Sequence, residues 1–250
     1  MMRFLMWLSM LLAFVVESSA QEPGTLFQEG VEKYRQGDWA AAATAWEQVH
    51  NRGEASGALY YNLGNAYHRM GEIGRSILYY ERARRILPRD RDVSANLDLA
   101  EMGTVDRIES PIRLAVWDWV DELRDYFSLR ELAWIFGSLG VVLIAAFVLT
   151  RIGPGPVRRA ARMALTSVLV VYVIVGGWYV WRSQLEAQAY GVVLETKVDV
   201  FSAPDSSATQ VFTLHEGTKV RTLDNLTGWT RIWLRDGRQG WLPMASIEKI

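Results

Sequence analysis

Residues 58–91 read ALYYNLGNAYHRMGEIGRSILYYERARRILPRDR, and this stretch decides how the N-terminal part of the chain folds. The small residues Gly64, Ser76 and Ala83 stand where two helices must approach. Tyr60, Leu63, Tyr67 and Tyr80 supply bulk beside them, and Pro88 ends the second helix. Laid over residues 24–57 at an offset of 34, the pattern recurs: Gly30 with Gly64, Gly37 with Gly71, Ala42 with Ser76, Trp46 with Tyr80. A fixed period of that size predicts stacked helix–turn–helix units. A third copy starts at Ala95-Asn96-Leu97, echoing Tyr61-Asn62-Leu63, and breaks at Gly103, so residues 92–103 read as one capping helix that closes the array.

The unit resembles the tetratricopeptide repeat. The second copy matches at nearly every signature position, whereas the first carries Leu26 and Lys33 where larger aromatic residues are usual. The resemblance implies a repeat domain over residues 21–103 without chemistry of its own. The first helix of each repeat would line a groove for a peptide or partner helix, presenting Phe27, Tyr34 and Arg35, then Tyr61, Asn65, His68 and Arg69. Aromatic and hydrogen-bonding groups together suit peptide capture. Tyr34 and Tyr61 have the alternative of packing between repeats.

Outward from the repeats, the chain turns apolar. At the N-terminus, Arg3, the apolar run Phe4–Val16 and Ser18-Ser19-Ala20 form a secretory signal over residues 1–20, with cleavage after Ala20; an uncleaved signal anchor would leave the topology unchanged. Two charge-free runs, 132–150 and 163–181, are long enough to span a bilayer, with Trp134, Trp178 and Trp181 near their ends. Residues 151–162 hold Arg151, Arg158, Arg159 and Arg162 and no acid, which places this loop in the cytoplasm and both flanking domains outside, in the periplasm of a bacterium, anchored in its inner membrane. Gly153 to Pro156 stop the first span and lack the Gly-Lys-Ser/Thr of a phosphate loop. Within the juxtamembrane stretch 104–131, Ile112, Val116, Trp119, Leu123 and Phe127 recur at helical spacing, the pattern of a helix lying on lipid, or of a soluble helix packed on the repeats.

After a linker at 182–189, residues 190–250 change grammar. Runs at Gly191–Val200, Lys219–Leu223 and Thr230–Leu234 alternate with turn residues at Ala203-Pro204-Asp205, Glu216-Gly217, Asp224-Asn225 and Asp236-Gly237, predicting a small all-β barrel or sandwich. The segment resembles the bacterial SH3-like domain through Val198-Asp199-Val200, His215-Glu216-Gly217, Gly228-Trp229 and Gly240-Trp241-Leu242. That resemblance implies a ligand surface at Trp229, Trp233 and Trp241, with core packing as the alternative for each.

The whole chain of 250 residues thus reads as a multidomain membrane protein: all-α tetratricopeptide-repeat hairpins, two transmembrane helices and a C-terminal all-β SH3-like small barrel. A formal net charge of −1 without a basic cluster argues against nucleic-acid binding, and zero cysteines remove disulfides, thiolate metal sites and cysteine nucleophiles. His50, His68 and His215 stand apart, and no nucleophile elbow, dinucleotide fingerprint or metalloprotease motif occurs. These readings predict no catalysis, no metal and no cofactor. In the order of its modules the chain is similar to the repeat-plus-SH3 type of the Bat aerotolerance-operon family. That resemblance implies membrane-anchored von Willebrand A-domain proteins and, indirectly, a MoxR-type AAA+ ATPase as partners, besides membrane lipid. A peptidoglycan-binding role for the barrel is the competing reading.

Overall fold

The computed structural model describes residues 23–108 and 115–250; the signal sequence expected over residues 1–20, and Ile112, lie outside the described residues. The chain divides into two compact units that meet at residues 54 and 55. The first is a helical hairpin, α1 (Pro23–Arg35) and α2 (Trp39–Asn51). Gly37, at φ +81°, makes the turn, and the Asp38 carboxylate caps α2 by accepting from the Ala41 amide. Gly30 lies against the Trp46 indole with no room for a side chain.

The second unit begins with α3 (Gly57–Met70), α4 (Ile73–Ile86) and α5 (Arg91–Met102). Ser56 caps α3, Gly71 ends it in the left-handed conformation, and Asp90 caps α5. The contact repeats 34 residues on: a Cβ on Gly64 would sit 2.5 Å from the Tyr80 ring, and Ser76 and Ala83 are completely buried. In the third copy the described helix is α5, which ends at Gly103.

Helix α6 (Ala115–Asp125) leads to α7 (Leu129–Ile152) and α8 (Gly155–Glu186), two helices long and apolar enough to cross a membrane. Ser128 and Glu131 close a capping box that starts α7. The pair is antiparallel: Phe136 stacks on Tyr172 at 4.3 Å and abuts Gly176, and Gly140 meets Tyr172. The helices outrun the expected spans. Only Gly153 and Pro154 link them, so Arg158, Arg159 and Arg162 ride on the first turns of α8 rather than in a loop, and most of the 182–189 linker is helical. Charged side chains do not stop a helix; they only end its apolar stretch.

The C-terminal segment forms a seven-stranded antiparallel sheet: β1 (Tyr190–Val193), β2 (Lys197–Phe201), β3 (Gln210–His215), β4 (Lys219–Leu226), β5 (Trp229–Trp233), β6 (Gln239–Pro243) and β7 (Ile247–Lys249). Strand order is β3-β2-β6-β5-β4-β1-β7, and no pairing joins the edges β3 and β7 among the described residues, so the sheet is open where a barrel would close. Asp224-Asn225 is not a turn: β4 runs on to Leu226 through an irregularity, and the chain reverses at Thr227 and Gly228, both at positive φ. Val193, Val198, Val200, Leu214, Val220, Ile232, Leu234 and Leu242 form the core.

Candidate functional site

The residues expected in a repeat groove divide into packed and open groups. In the first hairpin the Trp46 indole donates to the Phe27 carbonyl at 3.1 Å, and its ring lies 6.3 Å from Phe27 and 5.9 Å from Tyr34. Both aromatic residues therefore hold α1 on α2, and Arg35 stays exposed at the end of α1.

In the second hairpin the cap helix reaches over α3. Asn96 of α5 donates from Nδ2 to the Tyr61 hydroxyl at 3.1 Å and to Asn65 Oδ1 at 2.9 Å, and the Tyr80 hydroxyl donates to the same Oδ1 at 2.7 Å. Tyr61 and Asn65 thus fasten the cap. His68 and Arg69, a turn further along α3, make none of these bonds. Arg69 is exposed, and His68 is half-buried with its Nδ1 shielded and without a hydrogen-bond partner.

The sheet packs directly on α4, a contact absent from the sequence reading. Val192 of β1 joins Ile77, Leu78, Tyr80, Leu97 and Ala100 in one apolar cluster, with Leu194 and Ile250 against it. Glu81 of α4, 3% exposed, pairs with Lys219 of β4 at 2.6 Å and with Arg84 at 2.7 Å. Burial alone would raise the Glu81 carboxyl, but the two cations outweigh it and hold it below the ordinary carboxylate range. Arg82 donates to Glu248 Oε1 at 2.8 Å and to the Lys249 carbonyl at 2.6 Å. Beyond α5, Asp106 accepts from the His215 amide at 2.7 Å and the Thr218 hydroxyl at 2.6 Å, and its other oxygen lies 2.9 Å from His215 Nδ1. Burial opposes ionisation of Asp106, and the hydrogen bonds from Thr218 and His215 overcome it and hold the carboxyl low. These groups come from residues far apart in sequence; the one local sign is Glu81 itself, four positions after Ile77 on an apolar face.

The sheet's other face carries the tryptophans. Along β5, Thr230 and Ile232 turn inward and are buried, whereas Trp229, Arg231 and Trp233 are half-buried on the opposite side. Register places Trp241 of β6 opposite Arg231, and Phe201 of β2 opposite Trp241. Phe201 meets Trp229 edge to face at 5.6 Å, and the Arg221 guanidinium lies 6.0 Å from the Trp233 ring. None of the three tryptophans belongs to the core; together with Arg231 they make an aromatic, basic surface. Such a surface stacks on flat or extended ligands. Among the described residues no group of three or more histidine and acidic side chains gathers to hold a metal.

A family model of the tetratricopeptide repeat matches residues 57–90, the span of α3, α4 and the turn after them. No curated protein matches the chain.

Proposed function

We propose that the chain is a non-catalytic adaptor, held in a bacterial inner membrane by α7 and α8, that binds protein partners on its repeats. The tetratricopeptide match over 57–90 carries this reading, because stacked repeats present extended surfaces suited to binding proteins. The polar ends of the repeat helices, exposed Arg35 in one hairpin and half-buried His68 with exposed Arg69 in the other, are the proposed contacts. The four arginines around the link between α7 and α8 favour a cytoplasmic position for that link, which puts the repeats and the sheet in the periplasm. Module order favours membrane-anchored von Willebrand A-domain proteins of Bat type as partners, with a MoxR-type ATPase acting through them.

A second reading rests on the outward tryptophans: Trp229, Trp233 and Trp241 would stack on peptidoglycan and make the protein a wall-bound recruiter. One experiment separates the two. Crosslinking and pull-down from native membranes compares wild type with a His68→Ala, Arg69→Ala variant and with a Trp229→Ala, Trp241→Ala variant. Loss of membrane-protein partners from the first variant supports the repeat reading. Retention there, with loss of sacculus binding from the second, supports the wall reading. Wild-type membranes that yield no specific partner overturn the adaptor.

A further inference from the structure

Helix α6 leaves its apolar side uncovered. Val116 is 56% exposed, Trp119 62% and Leu123 47%, a set at one-turn spacing, with Trp117 at 52% and Tyr126 at 49% flanking it. Water is a poor neighbour for such a patch, since the drive to bury apolar surface grows with the area left exposed. Among the described residues the second repeat leaves Val116, Trp119 and Leu123 exposed, which favours a helix on lipid over one packed on that repeat.

The end of α6 is fixed against α8. The Trp178 indole donates to the Arg124 carbonyl at 3.3 Å, and Phe127 meets the Trp178 ring edge to face at 5.5 Å. Arg182 of α8, almost wholly buried, reaches Asp125 at 3.5 Å. Trp178 and Trp181 stand at the end of the apolar run of α8, the depth at which indoles settle between hydrocarbon and headgroups. The last turn of α6 therefore sits at that depth.

Charge is handled within the helix. The Arg124 guanidinium binds Asp125 through two bonds, at 2.8 and 2.6 Å, and also pairs with Asp121. Two of the carboxylates that would repel a phospholipid surface are thereby neutralised, and burial of the apolar arc, not attraction to anionic lipid, is the driving term.

From these three observations we infer that Val116, Trp119 and Leu123 are embedded in the headgroup–acyl boundary of the leaflet that faces the repeats and the sheet. The inference rests on membrane anchoring by α7 and α8. Its consequence is a fixed stance for the second repeat. Arg89, in the turn between α4 and α5, pairs with Glu131 at the start of α7, and its guanidinium lies 5.1 Å from the Tyr126 ring and 5.5 Å from that of Phe127. The α4–α5 corner is thereby held at the bilayer surface, at the end of the hairpin opposite His68 and Arg69.

A chain without cysteine allows single labels in the full-length protein. Trp119→Cys, Glu122→Cys and Ile144→Cys variants, each carrying a nitroxide and reconstituted in phosphatidylcholine vesicles, are compared for collision with oxygen, which concentrates in lipid, and with a water-soluble nickel chelate. The expected oxygen-to-nickel ratio is highest at 144, intermediate at 119, and several-fold lower at 122. A ratio at 119 equal to that at 122, beside a lipid-buried 144, overturns the inference alone. Low collision with both reagents at 119 overturns it in favour of protein packing. A water-exposed 144 overturns the anchoring, and this inference with it.

Discussion

Lys219 donates to Glu81, 138 positions earlier in the chain, at 2.6 Å, and this bond joins the C-terminal sheet to the second helix of the repeat. The pair lies beside the apolar cluster of Val192, Ile77 and Leu97, so a charge left alone there has little water to turn to. The second repeat hairpin and the sheet form one packed body.

Glu81→Ala should cost about 3–5 kcal/mol, the usual penalty for stranding the partners of a buried ion pair. Lys219→Met should cost less, because Arg84 still pairs with Glu81 at 2.7 Å. Urea denaturation of both single variants and the double variant checks this. Costs that simply add would show that the pair is uncoupled.

Stability should fall in acid. Glu81 and Asp106 have carboxyls held below their ordinary values of 4.5 and 3.8. A depressed carboxyl contributes stability above its unfolded value and loses it as pH drops through the folded one. Thermal unfolding should therefore be flat from neutral pH to about 5 and decline below about 4. In Glu81→Gln the decline should be shallower, and an equally steep decline would remove Glu81 from the effect.

Gly64→Ala and Gly217→Ala should each destabilise by about 1–3 kcal/mol through overpacking. The first meets the Tyr80 ring; the second adds a Cβ at φ +83°, 2.7 Å from the Thr104 methyl and 2.9 Å from Ile77. Gly137→Ala, within α7 and with nothing inside 4 Å, is the matched control and should not destabilise. Melting temperatures of the three variants decide the point.

Asn96→Ala should loosen the cap by about 1–2 kcal/mol, since it removes two hydrogen bonds to half-buried groups on α3, although Asn65 keeps its bond from Tyr80. Arg69→Ala should leave stability unchanged and act only on partner capture. Hydrogen exchange along α3 and α5 separates them: faster exchange in the Asn96 variant, wild-type exchange in the Arg69 variant.

Residues 190–250 expressed alone should aggregate or remain partly unfolded. Val192, Leu194 and Ile250 would exchange helix α4 for water, and the Ile250 carbonyl would lose its bond from Arg85 at 2.8 Å. Wild-type strand dispersion in the fragment's amide spectrum would show that the sheet stands without the helix.

Much of the repeat was legible because its rule is local. A glycine needed beside an aromatic ring at fixed spacing marks Gly30 with Trp46 and Gly64 with Tyr80, and both contacts are made. The outward tryptophans were half legible: Arg231 between Trp229 and Trp233 on one face of an alternating strand marks that face as wet. The turn after β4 was misplaced because Asp224-Asn225 has turn chemistry, while the chain reverses at Thr227-Gly228, three positions on. Tyr61 and Asn65 have the chemistry of a binding groove, and nothing near them in sequence reveals that Asn96 arrives to occupy it.

Sequence alone determined the elements: helical hairpins from a period of 34, two apolar helices from length and absence of charge, strands from alternation. Each of these follows from interactions a few residues long, or from the match between a segment and its solvent. Tertiary structure alone decided that the sheet docks on α4, that Glu81 is buried, that the cap closes over Tyr61, and that α6 keeps its apolar arc free. Those outcomes depend on which surfaces meet, and desolvation acts on the meeting of surfaces from distant parts of the chain, which no local pattern records.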